Sequence, residues 1–175
     1  MLENASSPPV TDAYGTKTSH EAARLARCTG HAGLPRPFGD PLSGVVLVAE
    51  EGGVAHAGVV SALLRSLAAV KLDEAYVTWS SSPDLLEEIL ALEPVGLATI
   101  GTASQVIDSL GYPLARARFS EAPEGSWFAW TKGTFGLRLP ALAPALKDAD
   151  AKRRFWRAFL ALRALAHDEE PGYRL

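Results

Sequence analysis

The sequence of 175 residues contains one cysteine, Cys28, which excludes a disulfide within the chain and any zinc or iron–sulfur site with four cysteine ligands. The longest apolar run, Gly44–Ala49, is far shorter than a membrane span, so we expect no membrane association. No basic segment followed by an apolar stretch opens the sequence, which predicts no signal peptide and a cytoplasmic protein. The net charge of -3 provides no general attraction to nucleic acid, so we expect direct DNA binding to be weak or absent.

Common catalytic and cofactor-binding motifs are also absent from the sequence. No serine lies in a GxSxG turn, and there is no GxGxxG segment or P-loop lysine that would hold a phosphate. Three of the histidines, His20, His31 and His167, fall in segments predicted to be a tail, an arm and the end of the last helix. We therefore expect a protein that is not an enzyme and that holds neither a cofactor nor a metal ion.

The composition suits one globular domain, since 47% of the residues are hydrophobic and 21% are charged. Residues 1–18 are rich in serine, proline, threonine and glycine without periodicity, and glycine and proline recur between positions 29 and 43. We predict a flexible tail and arm over residues 1–43, a folded α/β domain over 44–168 and a short carboxyl-terminal tail over 169–175.

Apolar runs alternate with helical patterns along the predicted domain. Helix starts are indicated by Ser82 before Pro83, and by Thr102 with Gln105 as a capping box. Runs rich in apolar, β-branched and aromatic residues predict four strands: Val45–Ala49, Ala75–Trp79, Val95–Ile100 and Leu114–Phe119. Strands that alternate with helices predict a three-layer α/β/α domain around a central, mostly parallel, four-stranded sheet.

The loop after the first predicted strand carries the candidate catalytic side chains Glu50, Glu51 and His56. Ligands of open α/β sheets sit at the carboxyl ends of strands, where these groups would serve as acid, base or metal ligand. The alternative is that they are solvated turn residues. We favour this alternative, because no matching cluster of histidine or acidic residues follows the other predicted strands.

Two further groups of residues suggest binding rather than chemistry. Trp127 and Trp130 with Lys132 would stack on single-stranded bases or seal the core or a partner contact, and we favour the core or partner contact. The last predicted helix, Ala151–Ala166, has an apolar stripe of Phe155, Phe159, Leu162 and Ala166. Its basic residues, which include Arg153 and Arg157, form a solvated face or contact a partner protein, and nucleic acid is the less favoured partner.

Part of the sequence resembles the uracil-DNA glycosylase fold. The resemblance covers residues 44–119 and is carried by Val45–Glu50, Tyr76–Trp79, Leu92–Pro94 and Leu97–Ala103. In that superfamily the first strand ends in a catalytic loop, which here reads Glu50–Val54 without the proline–glycine pattern. The second active-site motif, a His-Pro-Ser-Pro type of loop, is missing, because the corresponding segment Trp130–Phe135 has no histidine. The resemblance therefore implies the fold without its active site, or a divergent glycosylase with Glu50, Glu51 and His56 as its catalytic groups.

The carboxyl-terminal part is similar to the psi subunit of bacterial DNA polymerase III, a non-catalytic relative of the glycosylase fold. The similarity is carried by Leu139–Leu142 and by Asp148–Trp156, and with the first strand and helix it spans residues 44–160. It implies a replisome adaptor that binds the tau or gamma subunit of the clamp loader through a flexible amino-terminal peptide. It also implies a second contact, to a chi-like subunit or a single-strand binding protein.

Transferred to this chain, the resemblance places the partner-binding element within residues 1–43. Apolar anchors in a polar leader suit a segment that folds onto a partner. The expected partner-binding residues are Leu25, Leu34, Pro35, Pro37, Phe38, Arg153 and Arg157.

Overall fold

The computed structural model describes residues 35–166. In chain order the elements are β1 (Val45–Ala49), α1 (His56–Ala69), β2 (Tyr76–Trp79), α2 (Leu85–Leu92), β3 (Gly96–Ile100), α3 (Ala103–Ser109), β4 (Trp127–Ala129), β5 (Phe135–Leu139), α4 (Ala149–Phe159) and α5 (Arg163–Ala166). Single 3₁₀ turns lie at Gly53–Ala55, Phe119–Glu121, Pro144–Leu146 and Leu160–Leu162.

The strands form one five-stranded sheet in the order β2-β1-β3-β5-β4. The first four strands in this order are parallel, and β4 runs antiparallel to β5 at the edge. All five residues of β1 are buried, as expected of a central parallel strand covered on both faces. The predicted α/β class and the mostly parallel sheet are therefore confirmed.

The predicted fourth strand, Leu114–Phe119, is wrong. Residues 114–118 form an exposed loop in which Leu114 is 67% exposed, and the buried Phe119 begins a 3₁₀ turn. The sheet instead takes β4 and β5 from residues 127–139, where no strand is predicted, so it has five strands and not four. Gly136 on β5 pairs with Phe128 on β4, whose ring occupies the space that a side chain at position 136 would need.

Helices cover both faces of the sheet. Alternate residues of β1, such as Leu47, face a cluster built with α1 and α4, whereas Val46 and Val48 face a second cluster built with α2 and α3. The predicted stripe of the last helix is largely confirmed, because Phe155, Phe159 and Leu162 are buried in the first cluster and Ala166 is half-buried. The regular α-helix nevertheless breaks at the 3₁₀ turn Leu160–Leu162.

The described part of the predicted arm, residues 35–43, contacts the domain. Phe38 and Val77 of β2 exchange two backbone hydrogen bonds of 3.0 and 2.8 Å. The indole Nε1 of Trp79 donates to the carbonyl oxygen of Arg36 over 3.1 Å. Gly39 has a φ of +94°, and a β-carbon there would overlap the carbonyl oxygen of Ala75. The contacts of the domain thus begin upstream of Gly44, and the arm covers an otherwise open strand edge.

Candidate functional site

The geometry of the sheet places the loops after β1 and β3 side by side. Ala49 pairs with Ile100, so Glu50 and Gly101 leave the sheet as neighbours. Strand β2 pairs with one side of β1, and β3 pairs with the other side of β1. Such a reversal of strand order opens the crevice in which ligands of open α/β folds bind.

Glu50 connects the two loops through its carboxylate. Its Oε2 accepts hydrogen bonds from the backbone nitrogen of Thr102 over 3.0 Å and from the Thr102 hydroxyl over 2.6 Å. Gly101 has a φ of +64°, and a β-carbon at this position would overlap the carboxylate of Glu50. A glycine is therefore needed both for the backbone conformation and for the approach of Glu50. The carboxylate joins two loops at the start of α3.

The predicted capping box of Thr102 and Gln105 is wrong. Thr102 does stand at the start of α3, but its side chain makes no capping hydrogen bond to the helix backbone. Its hydroxyl donates to Glu50 instead. A carboxylate on a neighbouring loop competes better for this hydroxyl than a neutral backbone group, because charge-assisted hydrogen bonds are the stronger ones.

Glu51 and His56 lie apart from this contact. Glu51 is exposed, whereas His56, the first residue of α1, packs its ring on Trp79 with 4.6 Å between the ring centroids. Nδ1 of His56 is buried and has no hydrogen-bond partner within the described part of the chain. No hydrogen bond or ion pair among residues 35–166 joins Glu50, Glu51 and His56. The structure thus puts these groups on one edge of the sheet without bringing them together.

Two clefts of about 300 and 330 Å³ lie elsewhere, and none of these three residues lines either of them. Across residues 35–166 no three histidine, cysteine, aspartate or glutamate side chains converge in a way that would hold a metal ion.

The expected partner-binding residues fall in three places. Leu25 and Leu34 lie outside the described residues. Pro35, Pro37 and Phe38 are half-buried, and Phe38 packs against Trp79 at a centroid distance of 6.3 Å. Phe38 is therefore engaged by the chain's own domain. The third group, Arg153 and Arg157, is exposed on α4.

Helix α4 combines a buried face with a basic outer face. The Asp148 carboxylate accepts from the backbone nitrogens of Asp150 and Ala151 and so caps the helix. Arg153 forms an ion pair with Asp150, one turn earlier. Arg154 makes two hydrogen bonds of 2.6 and 2.9 Å to the carboxylate of Glu124, which ties the helix to the segment before β4. These contacts leave Arg157 as a cation with no ion pair among the described residues.

The tryptophans near the β4–β5 turn belong to the core. Trp130 is 1% exposed, and Trp127 is half-buried with its Nε1 donating to the carbonyl oxygen of Ala161 over 3.0 Å. The buried ring of Trp130 presents no open face of the kind that stacks on a single-stranded base. The favoured interpretation, a core or partner contact, is confirmed as a core position for Trp130, whereas Trp127 is partly buried and packs against the core.

Sequence reasoning missed a buried carboxyl group. Glu88 of α2 is fully buried and accepts hydrogen bonds from the hydroxyls of Tyr76, Thr78 and Ser82 at 2.8, 3.0 and 3.2 Å. Burial raises the pKa of Glu88, although these hydroxyls act in the opposite direction. The signal was present, because position 88 falls on the apolar stripe of α2 together with Leu85.

The sequence matches no protein-family model and no curated protein. Between residues 35 and 166, no helix has both the length and the apolar character needed to cross a lipid bilayer.

Proposed function

We propose that this chain is a non-catalytic replisome accessory protein similar to the psi subunit of DNA polymerase III. On this proposal its domain is a uracil-DNA glycosylase-like fold without the active site. It acts in the cytoplasm and binds the tau or gamma subunit of the clamp loader. The amino-terminal segment provides the first contact, and α4 offers a second surface to a chi-like or single-strand binding protein.

One observation carries the non-catalytic part of the proposal. Glu50 stands where the first catalytic loop of a glycosylase would begin, and its carboxylate accepts two hydrogen bonds from Thr102 at 2.6 and 3.0 Å. A general base must contact its water or substrate, and a carboxylate oxygen that already accepts two hydrogen bonds is less able to accept a proton from either. These two hydrogen bonds support a structural role for Glu50 on this proposal.

The motif that resembles psi supports the adaptor part. Leu139 and Leu142 are buried, and Asp148 caps α4, so most of the motif holds the helix against the sheet. The exposed residues of the motif include Asp148 and Asp150 at the start of the helix and then Lys152, Arg153 and Arg154, and the exposed Arg157 follows directly after it. A rigid helix with a basic outer face suits contact with an acidic protein surface.

Binding of the full-length chain to purified tau tests the proposal. Leu25→Ala and Leu34→Ala should each weaken capture, because apolar anchors carry most of the affinity of such segments. Arg65→Ala, an exposed change on α1, serves as the matched control and should leave capture unchanged. No complex with the wild-type chain at micromolar concentration would remove the proposal.

A divergent glycosylase is the second candidate, and two observations favour it. Glu51 is an exposed carboxylate on the loop after β1, and Nδ1 of His56 is buried without a partner among the described residues. Incubation with single- and double-stranded DNA that contains uracil tests this activity directly. Base release that is lost in Glu51→Gln or Glu50→Gln would favour the enzyme over the adaptor.

A further inference from the structure

A cleft of about 300 Å³ opens on the α2–α3 face of the sheet, at the amino ends of the parallel strands. The pairing of β4 with β5 fixes this position. Ala129 lies opposite Phe135, the first residue of β5, and the next residue along the chain, Trp130, lines the cleft. The cleft therefore lies at the amino ends of the parallel strands, whereas Glu50 and the crevice described above lie at their carboxyl ends. Its volume is at the lower end for ligand pockets and suits a single large side chain.

Two aromatic rings in tilted contact, with 40° between their planes, form the apolar part of this cleft. Tyr112 lies on Trp130 with 4.4 Å between the ring centroids. Trp130 is buried, whereas Tyr112 is half-buried and keeps part of its surface open to the cleft. Burial, together with the negative charge of Glu93, raises the pKa of Tyr112, so the phenol stays neutral. The floor therefore offers an apolar contact without a negative charge of its own.

The rim of the cleft carries two exposed arginines. The side chain of Arg116 has no hydrogen bond or ion pair within residues 35–166. Arg118 has only long contacts, at 4.0 Å each, to the carboxylates of Asp108 and Glu121. Asp108 also lines the cleft, but its oxygens already accept the backbone nitrogens of Phe119 and Ser120 at 2.7 and 3.0 Å. The rim thus presents cations whose pairing is incomplete.

We propose that this cleft binds a short acidic peptide segment of a partner protein. An aromatic or large aliphatic side chain of the peptide lies against Tyr112, and carboxylates on either side of it pair with Arg116 and Arg118. The guanidinium fork suits carboxylate oxygens, and bidentate pairs of this kind are both strong and directional. This site goes beyond the proposed function, because it needs neither the amino-terminal segment nor α4.

The charge count favours a peptide over a nucleic acid strand. Two cations would neutralise about two phosphates, which gives a salt dependence of only about -1.4 in log K against log salt for a single strand. The carboxylates of Asp108 and Glu121 lie beside the same arginines and oppose a continuous phosphate chain. One or two peptide carboxylates need no larger basic surface than the cleft provides.

Fluorescence anisotropy with the full-length chain tests the site. The probe is a fluorescein-labelled hexapeptide of five acidic residues and one phenylalanine. Saturable binding is expected, together with about tenfold weaker binding for Arg116→Glu and for Arg118→Glu, the usual loss for one charge-assisted hydrogen bond. Arg65→Glu makes the same charge change on α1 and should leave the affinity within twofold of wild type.

A second variant blocks the cleft without changing its charge. Ala115 is exposed and lines the cleft, so Ala115→Trp should abolish binding, whereas Ala68→Trp on the exposed side of α1 should not. A probe in which serine replaces phenylalanine should bind at least tenfold more weakly. Thermal unfolding of each variant shows whether it is folded before its affinity is compared.

Three results would overturn the proposal. The first is no binding of the phenylalanine probe at millimolar concentration. The second is equal loss of affinity in Arg65→Glu and Arg116→Glu, which would indicate attraction by the net charge alone. The third is tighter binding of a single-stranded oligothymidine than of the peptide, with the same dependence on Arg116 and Arg118, which would make the cleft a nucleic acid site.

Discussion

Replacing Glu88 by glutamine should change the way in which stability depends on pH. Burial raises the folded-state pKa of Glu88 above its usual value of 4.5, and the nearby charge of Asp84 adds to the rise. A raised folded pKa means that the contribution of this group to stability is complete below pH 4.5 and is lost as the pH rises through the folded value. The amide of the variant does not titrate, so this loss disappears in Glu88→Gln.

The size of the effect follows from the linkage relation. Each unit by which the folded pKa exceeds 4.5 removes about 1.36 kcal/mol of wild-type stability toward neutral pH. The stability of Glu88→Gln relative to wild type should therefore increase as the pH rises above 4.5 and become constant once the pH exceeds the folded pKa of Glu88. Urea unfolding of both proteins over this range measures the difference, and Glu87→Gln, an exposed change on the same helix, is the control. A difference that stays constant, or that falls as the pH rises, would refute the assignment.

Glu88→Ala separates the hydrogen bonds from the charge. This change leaves the buried hydroxyls of Tyr76 and Thr78 without their acceptor, and each such group costs about 1–3 kcal/mol. We expect a total loss of about 2–6 kcal/mol, a large part of the stability of an ordinary domain. A loss below about 1 kcal/mol would mean that water or other groups replace the carboxylate.

Three further changes test contacts at the edges of the fold. Gly101→Ala should lower the free energy of unfolding by about 1–3 kcal/mol, because it strains a positive φ and displaces Glu50; an unchanged urea midpoint would contradict this. Gly39→Ala should separate the arm from β2, and hydrogen exchange should show lost protection at the Phe38 amide; full protection would show that the arm tolerates a side chain. Asp148→Ala should cost about 1 kcal/mol through loss of the cap of α4, again measured by urea unfolding, and a neutral result would leave the cap without energetic weight.

The central strands could be predicted from the sequence because burial on both faces leaves a simple pattern. Val45–Ala49 is an unbroken apolar run, and its predicted bounds match β1. The runs for β2 and β3 differ from the structure by one residue at their starts. Each is a local signal that needs no knowledge of distant contacts.

The edge of the sheet could not be predicted in the same way. Leu114–Phe119 alternates between apolar and basic residues as a half-buried strand would, but no strand pairs with it; the backbone nitrogen of Arg116 donates one hydrogen bond of 2.7 Å to Trp130, just after β4. β4 has only three residues, and β5 contains Gly136, which usually weakens a strand. Gly136 is tolerated because the Phe128 ring covers it, and this contact between strands is invisible to a local pattern.

The candidate site shows the same division between local and distant signals. Sequence patterns locate Glu50 on the correct loop, since it follows directly after a buried strand. They do not reveal Thr102 as its partner, because these residues are 52 positions apart and only the pairing of β1 with β3 brings them together. The tilted contact of the His56 ring with Trp79 depends on the neighbouring strand β2 in the same manner.

Purification of the tagged, full-length protein from its native host at natural abundance tests the adaptor account most directly. Quantitative mass spectrometry should find the tau or gamma subunit of the clamp loader among the most enriched proteins, at a level reduced by Leu25→Ala and Leu34→Ala. Purification without any clamp-loader subunit above the untagged control would contradict the account.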